Sequence, residues 1–439
     1  MSSHNVLILA YYFPPMGLSG VQRITKFVKY LPEFGWRPHV LTTGPTAYYA
    51  HDPSLLEDLT HPDIHITRTD GTSPGSLLKE HGTVKMPKER IRKILSAISN
   101  TVLVPDNKKG WSKRALMVAR DLVQSEHFDA ILVSGPPFST MMAGAQLSAE
   151  TGIPLVLDYR DLWYGNQFHT YPTVWHSQKH KQLEHDTLAH ASKVTVTNRR
   201  IKERLLATYK HLEFNDVVII PHGYDPADLV VGSPGSERQQ TLMDFSGQPP
   251  TSNAFKLTYA GIFYDVVTPI PFFKAIKKLR KDRPNMKFEL HFAGLLRDEY
   301  RRKAKRLGLD EIVHDHGYLP HKETVRLLQR SDALWMMVGK TRNSDTISSG
   351  KLYEYFGTQK PLLVSVPEGA LRKDAERYGA SWITEPHDVD AIASAISDMY
   401  DRWEAKRTVL PEQSFVKSFD RRVLTGELAR VLAGSLRVI

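Results

Sequence analysis

Two stretches of the chain place glycine, hydroxyl groups and charge where a helix begins, a combination suited to binding an oxyanion. In the second half, Thr346-Ile-Ser-Ser-Gly-Lys-Leu-Tyr-Glu-Tyr-Phe-Gly-Thr-Gln-Lys-Pro361 precedes an apolar run, Leu362–Val366. Ser348, Ser349 and Gly350 would open a helix and bring hydroxyls and backbone N–H groups to a diphosphate, because the first N–H groups of a helix lack partners within it and lie at its positive dipole end. Lys351 adds a point charge in the first turn. Glu354, three residues on, suits the two hydroxyls of a ribose, since one carboxylate accepts two hydrogen bonds. A plain capped helix with a solvated Lys and Glu is the alternative reading of the same residues.

In the first half, Tyr11-Tyr-Phe-Pro-Pro-Met-Gly-Leu-Ser-Gly-Val-Gln-Arg23 follows an apolar run, and Ile24, Phe27, Val28 and Leu31 continue at helical spacing. Gly17 and Gly20 allow backbone to approach a ligand closely, although the spacing is not GxGxxG and a tight turn also needs glycine. Asp158-Tyr-Arg-Asp161 ends another apolar run, where α/β folds place functional groups, and an internal ion pair with Arg160 is the alternative. Asp388-Val-Asp390 has the spacing of a metal-binding DxD. Ala391, Ile392, Ala395 and Ile396 follow it, however, so it reads as the capped start of a helix. His176, His180 and His185 lie in WHSQKHKQLEHD without a second ligand pair, and a solvated helix face is expected there.

These groups need rigid elements beneath them. Short apolar runs rich in β-branched residues recur at Val6–Tyr12, Pro38–Leu41, Ile64–Thr67, Ala130–Ser134, Leu155–Asp158, Val194–Thr197 and Val217–Pro221. A second series falls at Lys256–Ala260, Phe288–Phe292, Ile312–His314, Ala333–Val338, Leu362–Ser365 and Ser381–Thr384. Alternation of such runs with helical segments predicts an α/β chain with two Rossmann-like, doubly wound parallel sheets. Turn formers at Gly232–Gln240 and Ser246–Asn253 separate the series. The expected domains are 1–228 and 229–413, with a terminal helix at 414–439 packing back on the first and the site in a cleft where the carboxyl ends of both sheets face each other.

A chain of 439 residues with 41% hydrophobic and 24% charged residues has enough apolar surface for two cores. It contains no cysteine, which excludes disulfides, thiolate metal sites and thiol nucleophiles. No run approaches the roughly 20 apolar residues of a spanning helix, and the N-terminus reads as a strand, so a cytoplasmic location is expected. The net charge of +10 favours anionic ligands without naming one. Cations spread along the chain without an aromatic-interleaved motif, and no nucleic acid is expected.

The landmarks YYFPPMGLSGVQR, SGPPFS, DYRDLW, PHGYD, YAGIFY, HGYLPHKE and GKLYEYFGTQKPLL run in order from residue 11 to residue 366. In this order they resemble the retaining GT-B glycosyltransferases of family 4. The resemblance implies a donor nucleotide-diphosphate sugar held by Gly17, Gly20, Gly317, Tyr318, Leu319, Ser349, Gly350, Lys351 and Glu354. It places Lys351 and Asp161 beside the reacting groups, with Asp161 orienting rather than attacking. The acceptor would be a glycan or a lipid-linked intermediate of surface-polysaccharide synthesis. No metal or other cofactor is expected, because a helix dipole and cations can meet the charge on a leaving diphosphate. Two positions depart from the family: Thr346 replaces a glutamate, and Ile262-Phe-Tyr-Asp replaces a basic pair that Lys351, Arg23, Lys340 or Arg342 would have to replace in function. A sugar-nucleotide epimerase of the same architecture and a non-enzymatic polyanion-binding protein are the alternatives. Finally, Lys85–Val104 alternates cations with an apolar stripe, Ile91, Ile94, Leu95, Ile98, Val102 and Leu103, which suits either an anionic membrane surface or a helix packed on the first domain.

Overall fold

The computed structural model describes residues 4–17, 19–44, 46, 48, 50–69, 99, 101–167, 169, 171–229, 253–263 and 267–436. Most of the basic stretch 85–104 and of the turn-forming segment 232–253 lies outside these residues. Among the described residues there are two parallel sheets, one of seven strands and one of six.

The first sheet comprises β1 (His4–Leu9), β2 (Trp36–Thr43), β3 (His65–Thr69), β4 (Ala130–Gly135), β5 (Leu155–Tyr159), β6 (Lys193–Val196) and β7 (Val217–Ile219), in the order β3-β2-β1-β4-β5-β6-β7. Val6, Leu7, Ile8 and Leu9 are all fully buried. A strand covered by helices on both faces has no solvent side, which is why β1 reads as a continuous apolar run rather than an alternating one. The winding runs outward from β1 to β3 and restarts at β4 beside β1, so the switch point lies between β1 and β4, where connections diverge and leave a crevice.

The second sheet comprises β8 (Phe255–Ala260), β9 (Phe288–Ala293), β10 (Val313–Gly317), β11 (Ala333–Met337), β12 (Leu362–Ser365) and β13 (Ser381–Thr384), in the order β10-β9-β8-β11-β12-β13. It repeats the same winding, with its switch point between β8 and β11. The fold is therefore two Rossmann-like doubly wound domains.

The compact units are Met1–His222 with Thr346–Ser348 and Arg421–Ile439, and Gly223–Asp345 with Ser349–Asp420. The apolar stretch expected as one terminal helix is two. Gln413–Lys417 belongs to the second unit, where Phe415 and Phe419 pack on Phe356. The helix Arg421–Ser435 belongs to the first, where Leu424, Leu428 and Leu432 join a core with Val6, Ile8, Ile24 and Phe27. The first crossing of the chain falls a few residues before 228 because Tyr224 is anchored in the second unit: its N–H donates to the Phe419 carbonyl at 3.0 Å, and a Cβ on Gly357 would meet its ring at 2.5 Å.

Candidate functional site

In the second unit the helix Gly350–Thr358 begins where the serine and glycine turn predicts. Ser349 is its N-cap residue, but the Ser349 side chain makes no capping bond. The Ser348 hydroxyl is buried and has no partner. An ordinary cap would use one of these hydroxyls to satisfy an N–H of the first turn. Tyr355, fully buried on this helix, accepts a bond through its phenol oxygen from the Ala260 N–H at 2.8 Å and so fixes the helix against the carboxyl end of β8.

That anchoring places Lys351. Its ammonium lies 3.8 Å from the centroid of the Tyr259 ring. It also fills the space beside Gly261, where a Cβ would come 2.5 Å from Nζ; with φ at +135°, this position requires glycine twice over. Burial brings the Lys351 pKa down to about 7, with Glu354 opposing the shift. Glu354 lies on the same helix three residues on, and one of its carboxylate oxygens is 3.9 Å from His321 Nδ1. His321 also contacts Asp228 at 3.1 Å. Of the cations named as replacements for the missing basic pair, Lys340 and Arg342 are exposed. Lys351 is the one held at the end of β8.

Gly317 ends β10, and its peptide groups are engaged: its N–H donates to Asp315 at 3.0 Å and its carbonyl accepts from the Gly294 N–H at 2.6 Å. Backbone presented to a base at this turn would come from Tyr318 and Leu319. Thr346, where the family carries glutamate, is buried, and its carbonyl accepts from the Asn198 side chain at 2.9 Å.

In the first unit the expected groups meet at the switch point, with different duties from those the sequence suggests. Arg23 is fully buried. It donates to Asp158 and to the carbonyls of Ile220 and Pro221, so it is not available to a phosphate. Asp158 also accepts from Ser134 at 2.9 Å and Thr195 at 2.8 Å, its register partners on β4 and β6. Burial pushes the Asp158 carboxyl up, but the Arg23 charge and these hydrogen bonds hold its pKa below the usual value. Arg160 does not simply pair with a neighbouring carboxylate: its guanidinium donates to the carbonyls of Gly20 and Pro136, tying together the connections that leave β1, β4 and β5. A Cβ at Gly20 would lie 3.2 Å from Arg160 Nη1, so a side chain there would crowd this guanidinium. The Gly17 N–H donates to the Ala50 carbonyl at 2.9 Å, beside the antiparallel bridge between Met16 and His51, so this glycine ties the loop after β1 to the segment around residue 50. Asp161 follows directly; burial raises its pKa and the Arg160 charge opposes that rise. His222, of PHGYD, is buried and held neutral by desolvation and by the charges of Arg23, Arg421 and Arg160.

The helix Val174–Leu188 reverses an expectation. His176, His180 and Glu184 are buried rather than solvated, and only His185 of the three histidines is on the open side. Their spacing of four puts them on one face, which packs on the chain after β5: Trp163 Nε1 donates to His180 at 3.1 Å, and the Tyr164 N–H donates to Glu184 at 2.8 Å. Tyr209 donates to Glu184 at 2.7 Å. Burial raises the Glu184 pKa to about 7 and lowers that of His180 to about 4. The i, i+4, i+8 repeat of His, His and Glu was the available signal, obscured because polar residues are normally assigned to solvent. Asp388, by contrast, caps the helix Val389–Glu404 by accepting from the Ala391 N–H at 2.9 Å.

Residues 20–223 match the family model of the glycosyl transferase 4-like domain. No curated protein sequence matches the chain. Solved structures with a similar fold include a glycosyltransferase from Rickettsia africae ESF-5, at 13% identity and TM-score 0.66 over 100% of both chains. Anabaena HepE in complex with UDP aligns at 14% identity and TM-score 0.63 over 98% of this chain and 100% of that one. The UDP-GlcNAc 2-epimerase from Neisseria meningitidis bound to UDP-GlcNAc aligns at 15% identity and TM-score 0.56 over 98% and 99%. Two doubly wound domains give the chain the GT-B fold of these solved structures, and residues 20–223 within it match a glycosyl transferase 4-like domain.

Proposed function

We propose that the chain transfers a sugar, with retention at the anomeric carbon, from a nucleotide-diphosphate sugar to a glycan or lipid-linked acceptor. The observation that carries this reading is the start of the helix Gly350–Thr358, which its own serines leave uncapped and where the Lys351 amine is held partly desolvated at the end of β8. An anion at that helix start takes both the dipole and the cation, and the cation gains effect as charge builds on the leaving diphosphate. Glu354 takes the ribose hydroxyls, with His321 beside it. Tyr318 and Leu319 face the base. The UDP bound by Anabaena HepE makes uridine diphosphate sugars the first donors to try.

In the first unit, Asp161 orients the reacting sugar or the acceptor. Its raised pKa suits a group that hydrogen-bonds rather than attacks. No nucleophilic side chain is assigned, and the leaving phosphate oxygen receives the acceptor proton on the face from which it departs. Among the described residues, no helix is long and apolar enough to cross a membrane. Contact with an anionic membrane surface, where a surface-polysaccharide intermediate would be met, falls to the basic stretch 85–104.

The test is incubation with a panel of uridine, guanosine and adenosine diphosphate sugars, with and without lipid-linked and soluble glycan acceptors. Release of nucleoside diphosphate only with an acceptor, and a product whose anomeric configuration by NMR equals that of the donor, supports the proposal. A changed sugar and free nucleotide without acceptor would assign the chain to the epimerases, and an inverted product would remove retention.

A further inference from the structure

We propose that the outer edge of the second sheet carries a transition-metal site of the zinc class, built from Glu289 and His291 on β9 and His314 on β10, with His316 orienting His291 through its other ring nitrogen. Residues two apart on a strand project to the same face. β9 and β10 are parallel neighbours with His291 in register with His314, so Glu289, His291 and His314 lie on one face, and His316 falls in the register shift just beyond them. The intervening Leu290 and Phe292 point the other way, into the core.

The array is close enough to share an ion. The ligand atoms of Glu289, His291 and His314 all lie within 4.8 Å of one another. His291 Nε2 is 3.2 Å from Glu289, and its Nδ1 is 2.9 Å from His316 Nε2. The ring of His291 stacks on those of His314 and His316, with centroids 4.8 and 5.2 Å apart. Two imidazoles and one carboxylate match the donors that zinc, nickel and copper prefer, with water completing the shell, whereas calcium and magnesium require more oxygen ligands than this face supplies. Lys256, 3.8 Å from Glu289, is the cation that the metal would displace.

The location gives such an ion a structural role. β10 is the edge strand, paired only with β9, and its register shifts between Asp315 and Gly317. An ion bridging the two strands would fix that irregular edge and, through it, the turn Gly317-Tyr318-Leu319.

The experiment uses the full chain without a histidine tag, stripped with EDTA and titrated calorimetrically with zinc chloride. We expect one zinc per chain with micromolar or tighter affinity, raised melting temperature on loading, and visible d–d bands on substitution with cobalt. His314 is exposed, so His314→Ala should leave the fold intact; together with His291→Ala it should weaken zinc binding about a hundredfold. His127→Ala, at an exposed histidine of the other unit, should change nothing. Absence of zinc binding, or unchanged affinity in a folded His314→Ala protein, would overturn the proposal.

Discussion

If the Lys351 amine titrates near neutrality in the free enzyme, donor binding must take up protons. With a pKa of about 7, the lysine lacks its proton in about a tenth of molecules at pH 6, about half at pH 7 and about nine-tenths at pH 8. A diphosphate at the start of its helix favours the charged form and raises that pKa by about 1–3 units. Saturating donor should therefore draw in up to those same fractions of a proton, the full amount at the upper end of that shift and about 0.4 of a proton at pH 7 and 8 for a rise of one unit. A sugar nucleotide suits the measurement better than a free nucleoside diphosphate, because both of its phosphates are esterified and neither titrates near pH 7. Calorimetric titration in two buffers of different ionisation enthalpy reads the uptake directly, and donor affinity should fall by up to about tenfold per pH unit above 7. Lys351→Met should abolish the uptake and lower kcat. The linkage also runs through folding: between pH 7 and about 10 the unfolded lysine keeps a proton that the folded one has lost, so the free enzyme gains stability as pH rises through that window. Uptake that is absent, independent of pH, or still present in Lys351→Met would refute the placement of this amine beside the phosphates.

Glu354→Gln should keep the fold and weaken donor binding by about 1.5–3 kcal/mol, measured calorimetrically, because the amide loses charge-assisted bonds to the ribose. Asp158→Asn should destabilise the first unit by about 3–5 kcal/mol in chemical denaturation, since it strands the fully buried Arg23 guanidinium; a loss below 1 kcal/mol would show that Arg23 finds other partners. In the wild type the depressed Asp158 pKa contributes stability above the unfolded value near 4, which is lost as pH falls below it. Replacing Arg90, Arg92 and Lys93 with glutamine should release the protein from anionic vesicles in co-sedimentation, given about 1 kcal/mol of attraction per surface cation; equal binding of both proteins would remove the basic stretch from that role.

The sheets were legible because a parallel strand buried on both faces has to be a short, continuous apolar run, and β1, β5 and β11 announce themselves that way. The helix at Gly350 was legible from its glycine and serines. Arg23 was not, because a cation next to a glycine loop reads as a ligand-binding group until its partner is seen, and that partner, Asp158, is 135 residues away. Nor was Arg160, whose acceptors are backbone carbonyls and carry no side-chain signature. The buried face of the helix Val174–Leu188 escaped for a related reason: its moment points nowhere because His176, His180 and Glu184 find partners at long range rather than water. Local pattern reports burial of apolar groups well and burial of satisfied polar groups hardly at all.

The clasp at Arg160 has a consequence for how this enzyme could change its substrates. The connections after β1, β4 and β5 are where a doubly wound domain varies its crevice, and in many such domains each can be rebuilt alone. Here one guanidinium holds Gly20 and Pro136 from its own place after β5, so lengthening or redirecting any one connection moves the anchor of the other two. Grafting a single loop from a relative would leave the arginine short of one of its acceptors in the crevice itself. The three connections form one unit of inheritance, to be exchanged together or left alone.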